Sequence, residues 1–403
     1  MKVSVIVVSR GRPVLLRKLI KALRFQTHKS FEVILVTDDP KDADIAKDVK
    51  FIHHEAANIS SARNVGMTVA SGEIFAFLDD DAIPEPNWLE ELIVAFSDPK
   101  VAAGGGFVKG RNGISNQWAG IEVDCFGRDY PIEITDPTVR GLKEERHLKV
   151  QGCNMAFRKS ALQKSGGFDE GFSFYFEETD LTRRLAKARF KIAINPKAQV
   201  VHSDAESSYR SSRRIPKSLR QLGASWRLFM DKHALATKAE EIRFQLCLQQ
   251  RERLLKLMKI GWIEPRDVTR MQEEFDRAIV GQFNRSKIKK LTFSASKNFK
   301  AFQTKNAPPK TMYGSIWQAK ALKRKAKSIA DSGVPTHLFI FSRTSLFHHR
   351  AFDQDGYWIQ KGGLFGRAAR SETLFKKYNF EKRLEKERHR IAIDTGFNWG
   401  AGG

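Results

Sequence analysis

The chain lacks the features of a membrane-embedded, secreted or disulfide-stabilised protein. No apolar stretch approaches the ~18 residues that a bilayer-spanning helix needs. The apolar run over residues 3–9 is followed by Arg10 and Arg12, where a secretory leader would need a cleavage site of small residues. The cysteines, Cys125, Cys153 and Cys247, lie far apart without metal-ligand spacing. This favours a reducing compartment and burial of the thiols as small apolar groups, so we expect a cytoplasmic protein.

Acidic residues are scarce in the second half. Residues 1–204 hold 29 Lys and Arg against 28 Asp and Glu, whereas residues 205–403 hold 41 against 18, so nearly all of the net charge of +24 lies in the second half. Such a field attracts polyanions, which include an anionic membrane surface, a nucleic acid and an acidic glycan. A chain of 403 residues exceeds one ordinary core. We place the domains at residues 1–205, 206–300 and 301–403.

The first half alternates strand-like and helix-like patterns. Apolar runs typical of strands buried on both faces occupy residues 3–8, 31–37 and 72–78. Helical periodicity separates them over residues 14–25 and 60–70. The alternation predicts an α/β fold with a mostly parallel sheet and helices on both faces. Ligands of such sheets gather at the carboxyl ends of the strands.

Three consecutive carboxylates, Asp79, Asp80 and Asp81, follow the third of these apolar runs. Carboxylates packed together repel unless a cation neutralises them, and a hard divalent metal takes oxygen ligands. Alternation along an extended segment puts Asp79 and Asp81 on one side and Asp80 on the other. A solvated acidic turn is the alternative reading of the triplet.

Four ordered motifs together resemble the family 2 glycosyltransferases. These are SVIVVSRGR (4–12), ILVTDDP (34–40), the block from Ser60 to Leu92 that contains FAFLDDD, and the segment from Gln151 to Ile192 that contains EETD. The resemblance covers roughly residues 2–205 and implies a Rossmann-like GT-A fold that binds a nucleotide sugar. It also implies inverting, metal-dependent transfer to a hydroxyl group, with Mn²⁺ or Mg²⁺ as the cofactor.

The resemblance assigns the metal to Asp79 and Asp81, with Asp79 also counted among the nucleotide-sugar ligands. Asp80 is the second choice as a direct ligand and is expected at the nucleotide sugar. Some family members supply a histidine from the region of QVVHSD (199–204), which makes His202 a further candidate ligand. The alternative for His202 is a hydrogen-bonded structural residue.

Further nucleotide-sugar ligands are expected on three elements. Their members are Ser9, Arg12, Asp38, Asp39, Arg63 and Asn64. The two aspartates could accept from a uracil or thymine N–H, and the alternative is a helix N-cap. Arg63 could donate to the diphosphate or could only pair with a nearby aspartate. Ser60 or Ser61 is expected to cap the helix that carries Arg63.

The catalytic base is expected in EETD (177–180). An inverting displacement needs a carboxylate to take the proton of the attacking hydroxyl. Glu178 occupies the position where the family commonly has aspartate, so it is the first candidate and Glu177 is the alternative. Trp118, Tyr130 and Phe174 could stack on a sugar, although large aromatic residues lie in cores more often. The donor is expected to be a UDP-sugar, with a dTDP-sugar second, and the acceptor a glycan or a lipid-linked glycan of the cell surface.

The second half predicts a largely helical, basic extension with short strands and a helix near its end. One hypothesis docks it on an anionic inner leaflet through residues 210–227, which include Leu222, Trp226, Leu228 and Phe229. Another is polyanion or nucleic-acid binding through residues 286–327, although no nucleic-acid motif is present. A solvated basic face, and a nucleotide-sugar-binding protein without transfer, are the remaining alternatives. The chain has no Gln-x-x-Arg-Trp motif, which favours the addition of one sugar per cycle.

Overall fold

A computed structural model describes most of the chain. The described residues are 1–45, 47–203, 206, 209–211, 213–281, 288–295, 298–305 and 307–400. The strands are β1 (Val3–Ser9), β2 (Phe31–Thr37), β3 (Lys50–His53), β4 (Ile74–Asp79), β5 (Ala82–Pro84), β6 (Val101–Lys109), β7 (Asn116–Trp118), β8 (Ile121–Val123), β9 (Asp129–Pro131), β10 (Thr138–Arg140), β11 (His147–Leu148), β12 (Met155–Arg158), β13 (Lys191–His202), β14 (Lys310–Ser315), β15 (Thr336–Ser342), β16 (His349–Phe352) and β17 (Trp358–Gly363). The helices are α1 (Pro13–Leu23), α2 (Ile59–Val69), α3 (Trp88–Ile93), α4 (Lys159–Ser165), α5 (Glu177–Lys187), α6 (Arg220–His233), α7 (Ala239–Lys259), α8 (Pro265–Val280), α9 (Ala319–Asp331) and α10 (Phe380–Thr395).

The main sheet has the strand order β10-β13-β6-β12-β4-β1-β2-β3. Strands β4, β1, β2 and β3 run parallel, and β12 lies antiparallel between β4 and β6. Ser9 pairs in register with Thr37, and Val8 with Asp79, so β1, β2 and β4 end at one edge. The predicted α/β class is confirmed, as is the convergence of polar strand ends.

The central strands are apolar along their whole length because each face of the sheet packs against its own apolar core. Val3, Val5 and Val7 pack into one cluster with α1, whereas Ile6 packs into the other with α2 and α5. The alternation of side chains along a strand sends successive residues to opposite faces. Packing on both faces holds in place the edge of the sheet at which Ser9 and Asp79 lie.

Helices α6, α7 and α8 form a separate helical layer beside the main sheet. Trp226, Leu228 and Phe229 lie in its core and are at most 9% exposed. The hypothesis that residues 210–227 lie in a membrane interface through these side chains is therefore wrong, because the side chains are already covered by α8 and by Phe172 and Phe176. Residue 212 lies outside the described residues.

The described parts of residues 288–305 run as a strap over the first half. Phe293 contacts the ring of Phe75 at 5.3 Å, and Phe302 contacts Phe31 at 5.4 Å. The backbone N–H of Lys300 donates to Glu32 at 3.1 Å. The segment proposed for polyanion binding is thus partly held by packing; residues 286–287, 296–297 and 306 of it lie outside the described residues.

The last part of the chain is a small mixed unit. Strands β14-β15-β17-β16 form a four-stranded sheet, covered by α9 and α10, so the expected short strands and terminal helix are present. A buried, bidentate ion pair joins Arg350 of this unit to Glu85, which follows β5. Asn87 donates to the carbonyl of Thr395 at 2.7 Å. These contacts attach the unit beside the strand that follows the aspartate triplet.

Candidate active site

The aspartate triplet divides as the alternation predicts. Asp80, 3% exposed, accepts from Ser9 Oγ at 2.8 Å and from Arg12 Nη1 at 3.0 Å. Burial raises the pKa of Asp80 to about 6 against the opposing charge of Arg12. Asp80 thus holds the loop after β1, whereas Asp79 contacts Arg63 and Asp81 contacts His202.

Two strands bring His202 to the triplet. β13 pairs antiparallel with β5, with His202 opposite Ala82, and β5 begins directly after Asp81. His202 Nε2 lies 3.1 Å from Asp81 Oδ1. This neighbourhood depends on a pairing across about 120 residues of sequence, which no local pattern reveals.

Potential metal-ligand atoms of Asp79, His202 and Cys153 lie close together. Their carboxylate oxygen, imidazole nitrogen and sulfur lie within 4.8 Å of one another, and Asp81 contacts His202. Two carboxylates and an imidazole fit a divalent cation such as Mn²⁺. Burial, together with Asp79 and Asp81, raises the pKa of the Cys153 thiol well above its usual range, which disfavours a thiolate there without a cation. The predicted metal residues are thus adjacent, and Cys153 joins them.

Arg63 connects the triplet to the EETD motif. It donates to Glu177 Oε1 at 2.8 Å, to Asp79 Oδ1 at 3.3 Å and to the Gly152 carbonyl at 3.1 Å. The side chain is 2% exposed. A Cβ at Gly152 would lie 2.9 Å from Arg63 Nη2, so glycine keeps this position open for the guanidinium. Arg63 therefore pairs with acids on both sides of the site, which is the second of its two predicted roles.

Helix α2 is capped differently from the prediction. The Asn58 side chain accepts from the Ser61 N–H at 3.0 Å, so Asn58, rather than Ser60 or Ser61, is the N-cap. Ser60 instead donates to the carbonyl of Phe172 at 2.5 Å. An asparagine one turn earlier competes for the same role because its amide oxygen reaches the N3 position.

The two glutamates begin helix α5. Tyr175 and Phe176 precede them with φ angles of +68° and +67°, a left-handed conformation that is costly for aromatic residues. Burial and then repulsion from Glu178 raise the pKa of Glu177 above its usual range. Glu178 Oε1 accepts from Thr179 Oγ1 at 3.1 Å. Neither the reversed backbone nor the ion pair of Glu177 with Arg63 is readable from the local sequence.

Asp180 ties α5 to the helical layer. Its carboxylate accepts from Arg184 at 2.9 Å, from Lys232 at 2.6 Å and from His233 at 2.8 Å. Although burial raises it, the charge of Arg184 and the bond from His233 hold the pKa of Asp180 below its usual range. Asp180 therefore does more than order the start of α5, because it also holds α6 against α5.

Of the remaining predicted nucleotide ligands, Asp38 lies at the site and two do not face it. Asp38 accepts from the Gly11 N–H at 3.1 Å beside Arg12. Asp39 caps the 3₁₀ helix Pro40–Asp44 by accepting from the Lys41 N–H at 2.9 Å, which is the alternative reading. The Asn64 amide holds the loop of Phe168 and Glu170 at 2.9 and 3.1 Å.

Two clefts meet at this edge of the sheet. The triplet cleft, about 870 Å³, is lined by Ser9, Arg12, Asp38, Asp79, Asp80 and Asp81. The glutamate cleft, about 930 Å³, is lined by Trp118, Tyr130, Glu177, Glu178, Arg253 and Lys256, among others. Asp79, His202 and Phe174 line both. One substrate in each cleft would therefore meet the other at Asp79 and His202.

Comparison with known proteins shows what the first half of the chain is similar to. Residues 4–166 match the model of glycosyl transferase family 2. Over these residues the chain is similar to the family 2 glycosyltransferases. It is 28% identical over 235 residues to the O-antigen biosynthesis protein RfbC of Myxococcus xanthus, covering 54% of this chain and 18% of that protein. It is 30% identical over 213 residues to the pre-mycofactocin glycosyltransferase of Mycobacterium tuberculosis, covering 50% of this chain and 42% of that one.

The chain thus spans less than half the length of either relative. Among solved structures, S. aureus TarS 1–349 in complex with UDP-GlcNAc overlaps 57% of this chain and 65% of its own, with a TM-score of 0.42 and 20% identity. No described helix of the chain is both long and apolar enough to cross a bilayer.

Sequence reasoning missed two parts of the candidate site. Cys153 stands in the QGCN motif, and its neighbour Gly152 touches Arg63, so membership of that motif was the available signal. Arg253 and Lys256 line the glutamate cleft from α7. The sequence of α7 shows only that the helix is basic. The packing of α7 on α8 determines which face of α7 meets the cleft, and no local pattern reports that packing.

Proposed function

We propose that the protein transfers a sugar, with inversion, from a nucleotide-diphospho-sugar to a hydroxyl of a glycan or lipid-linked acceptor. The observation that carries this is the meeting of two clefts at Asp79 and His202, with carboxylates suited to a metal on one side and to a base on the other. The family 2 domain supports it independently. RfbC is named for O-antigen biosynthesis, and we extend a role in cell-surface polysaccharide synthesis to this chain.

The donor binds in the triplet cleft in this proposal. Asp38 accepts from the nucleobase, while Ser9, Arg12 and Asp80 hold the adjoining loop at the nucleoside. Asp79, Asp81 and His202 would hold Mn²⁺ or Mg²⁺, with Cys153 beside them. When bound, a divalent cation stabilises the negative charge that develops on the departing diphosphate.

The acceptor binds in the glutamate cleft, and Glu178 is the base. Its carboxylate takes the proton of the acceptor hydroxyl while that oxygen bonds to the anomeric carbon and the bond to the nucleoside diphosphate breaks. Glu177 is less suited because its Oε1 accepts from Arg63 and burial favours its protonated form. Arg63 keeps Asp79 and Glu177 at a fixed separation, and so positions both halves of the site.

Calorimetric titration tests donor binding. UDP, dTDP and GDP are titrated into the full chain with and without Mn²⁺, and we expect UDP to bind best and only with metal. Asp81→Asn and His202→Ala should lose this binding, whereas the exposed Asp136→Asn should keep it. If none of the three nucleotides binds, the transferase proposal is refuted and polyanion binding by the second half becomes the function to examine. Nucleotide binding without sugar transfer to any acceptor would support the non-transferring alternative.

The base is tested by matched isosteric variants once an acceptor is in hand. Glu178→Gln should abolish turnover while leaving UDP binding intact, and Glu177→Gln should retain measurable turnover. The opposite result would reverse the assignment. Products longer by more than one sugar would contradict single addition.

We further propose that the protein docks peripherally on an anionic membrane through the 3₁₀ turn Ile316–Gln318 and the exposed surface of α9 that follows it. Trp317 is 92% exposed and Ile316 is 52% exposed, and Lys320, Arg324 and Lys325 follow on the exposed surface of the helix. Each basic residue near an anionic surface contributes about 1 kcal/mol. Vesicles containing phosphatidylglycerol should co-sediment the protein at low salt, and Trp317→Ala should weaken this while Trp262→Ala does not. Absence of binding by the unaltered protein would dismiss the surface.

A further inference from the structure

The outer wall of the glutamate cleft comes from the basic second half. Gln249, Gln250, Arg253 and Lys256 of α7 line the same cleft as Glu178. The other side of α7 is fixed by packing, because Leu246 and Leu254 lie in the core of the helical layer. The helix cannot rotate these cations away without exposing that core, so their presence at the cleft is built into the fold.

Two cations at this wall, Arg253 and Lys256, have no ion-pair partner among the described residues. Arg128 and Lys149 also line the cleft, but they pair with Asp124 and Asp129, each at 2.8 Å. No ion pair among the described residues joins Arg253 or Lys256 to a carboxylate; Arg253 has a single hydrogen bond, to Gln250 at 3.3 Å. The neighbouring acid in the lining, Glu252, makes no ion pair with either of them.

A further cation is close to Arg253. Arg210 lines both clefts and lies near enough to Arg253 to disfavour its charge; burial and then this repulsion lower the pKa of Arg253, with Tyr175 acting in the opposite direction. A guanidinium group and an ammonium group at one cleft, Arg253 and Lys256, suit an oxyanion ligand. The donor diphosphate is already provided for at the aspartate triplet, so the ligand of this wall belongs to the other substrate.

We propose that the acceptor carries a phosphate group close to its reacting hydroxyl, and that Arg253 and Lys256 bind it. This inference rests on the proposed function and names its acceptor class. Several cations suit the charge of a phosphate better than that of one carboxylate. A sugar phosphate, a phosphodiester-linked glycan and a lipid-borne phosphate share this chemistry.

The test uses the full chain saturated with UDP and Mn²⁺. Glucose 6-phosphate, glucuronate and methyl glucoside are titrated as phosphate-bearing, carboxylate-bearing and neutral probes. We expect the phosphate probe to bind at least about tenfold more tightly than either other probe, the effect of losing a charge-assisted hydrogen bond. Arg253→Gln with Lys256→Gln should remove the preference without changing UDP affinity. Arg251→Gln with Lys259→Gln, which change the same charges on α7 outside the cleft lining, should keep it.

The outcomes separate the two levels of the argument. Failure of UDP to bind refutes the proposed function itself. If UDP binds normally, two results overturn the phosphate inference alone. One is that glucose 6-phosphate binds no more tightly than glucuronate or methyl glucoside. The other is that the preference for glucose 6-phosphate survives in the Arg253 and Lys256 variant. Repeating the titration with phosphatidylglycerol vesicles in the Trp317→Ala variant distinguishes a lipid-borne source, for which adding Arg253→Gln and Lys256→Gln should remove the vesicle binding that remains.

Discussion

The Arg63 ion-pair system gives the sharpest prediction about stability. Replacing Arg63 with methionine removes three hydrogen bonds and leaves the buried Glu177 without its cationic partner. Breaking a buried ion pair by removing one partner costs about 3–5 kcal/mol. We therefore expect Arg63→Met to lower the free energy of unfolding by about this amount near neutral pH.

The loss should also depend on pH in a definite direction. The pKa of Glu177 is higher in the folded state than in the unfolded state. Between these two pKa values the folded protein binds a proton that the unfolded chain has lost, so the free energy of unfolding falls as the pH rises through this window. The charge of Arg63 lowers this pKa, so removing it extends the window upward. Each unit of further rise adds about 1.4 kcal/mol to the loss. The deficit of Arg63→Met should thus be smaller at pH 6 than at pH 9.

Urea unfolding followed by tryptophan fluorescence at several pH values measures the deficit. Arg158→Met is the matched control, because its guanidinium donates to the backbone carbonyls of Phe96, Asp98 and Val101 and to no carboxylate. Its deficit should not change with pH. A deficit for Arg63→Met below about 1 kcal/mol, or one that is as flat with pH as the control, would refute the assignment of Arg63 as the counter-ion of Glu177.

Three further predictions concern the rest of the fold. Asp180→Asn should detach α6 from α5 and raise protease sensitivity of the helical layer, because it weakens a buried site worth about 3–5 kcal/mol; unchanged cleavage would contradict this. Burial lowers the pKa of His147 to about 3, so the unfolded chain alone takes its proton and about 2 kcal/mol should be lost between pH 6.5 and 5. His147→Gln should flatten that decline in acid unfolding curves, and an equal slope would disprove it. Arg350→Met should speed hydrogen exchange in the four-stranded sheet by leaving Glu85 buried and unpaired, whereas Glu85→Gln with Arg350→Met should restore part of the protection.

Local sequence patterns were sufficient to predict the central strands of the main sheet and the residues at their ends. The apolar runs and helical periodicity in residues 3–78 gave the parallel strands β1, β2 and β4, because a strand buried on both faces needs such a run. The ends of parallel neighbouring strands meet at one edge of the sheet, so the sequence pattern alone predicts that Ser9, Asp38 and the aspartate triplet lie together. The alternation of Asp79, Asp80 and Asp81 also followed from the period of an extended chain.

The order of apolar and polar residues along the chain is enough to predict the class of the fold, the edge of the sheet at which the candidate site lies, and the aspartates at that edge. The tertiary structure decided the partners: His202 beside Asp81 through the β13–β5 pairing, Arg63 bound to Glu177, and Arg253 on the wall of the glutamate cleft. It also buried Trp226, which the sequence had offered as a membrane contact. The physical reason is that periodicity reports which side of an element is apolar, whereas register and packing between distant elements decide what that side meets.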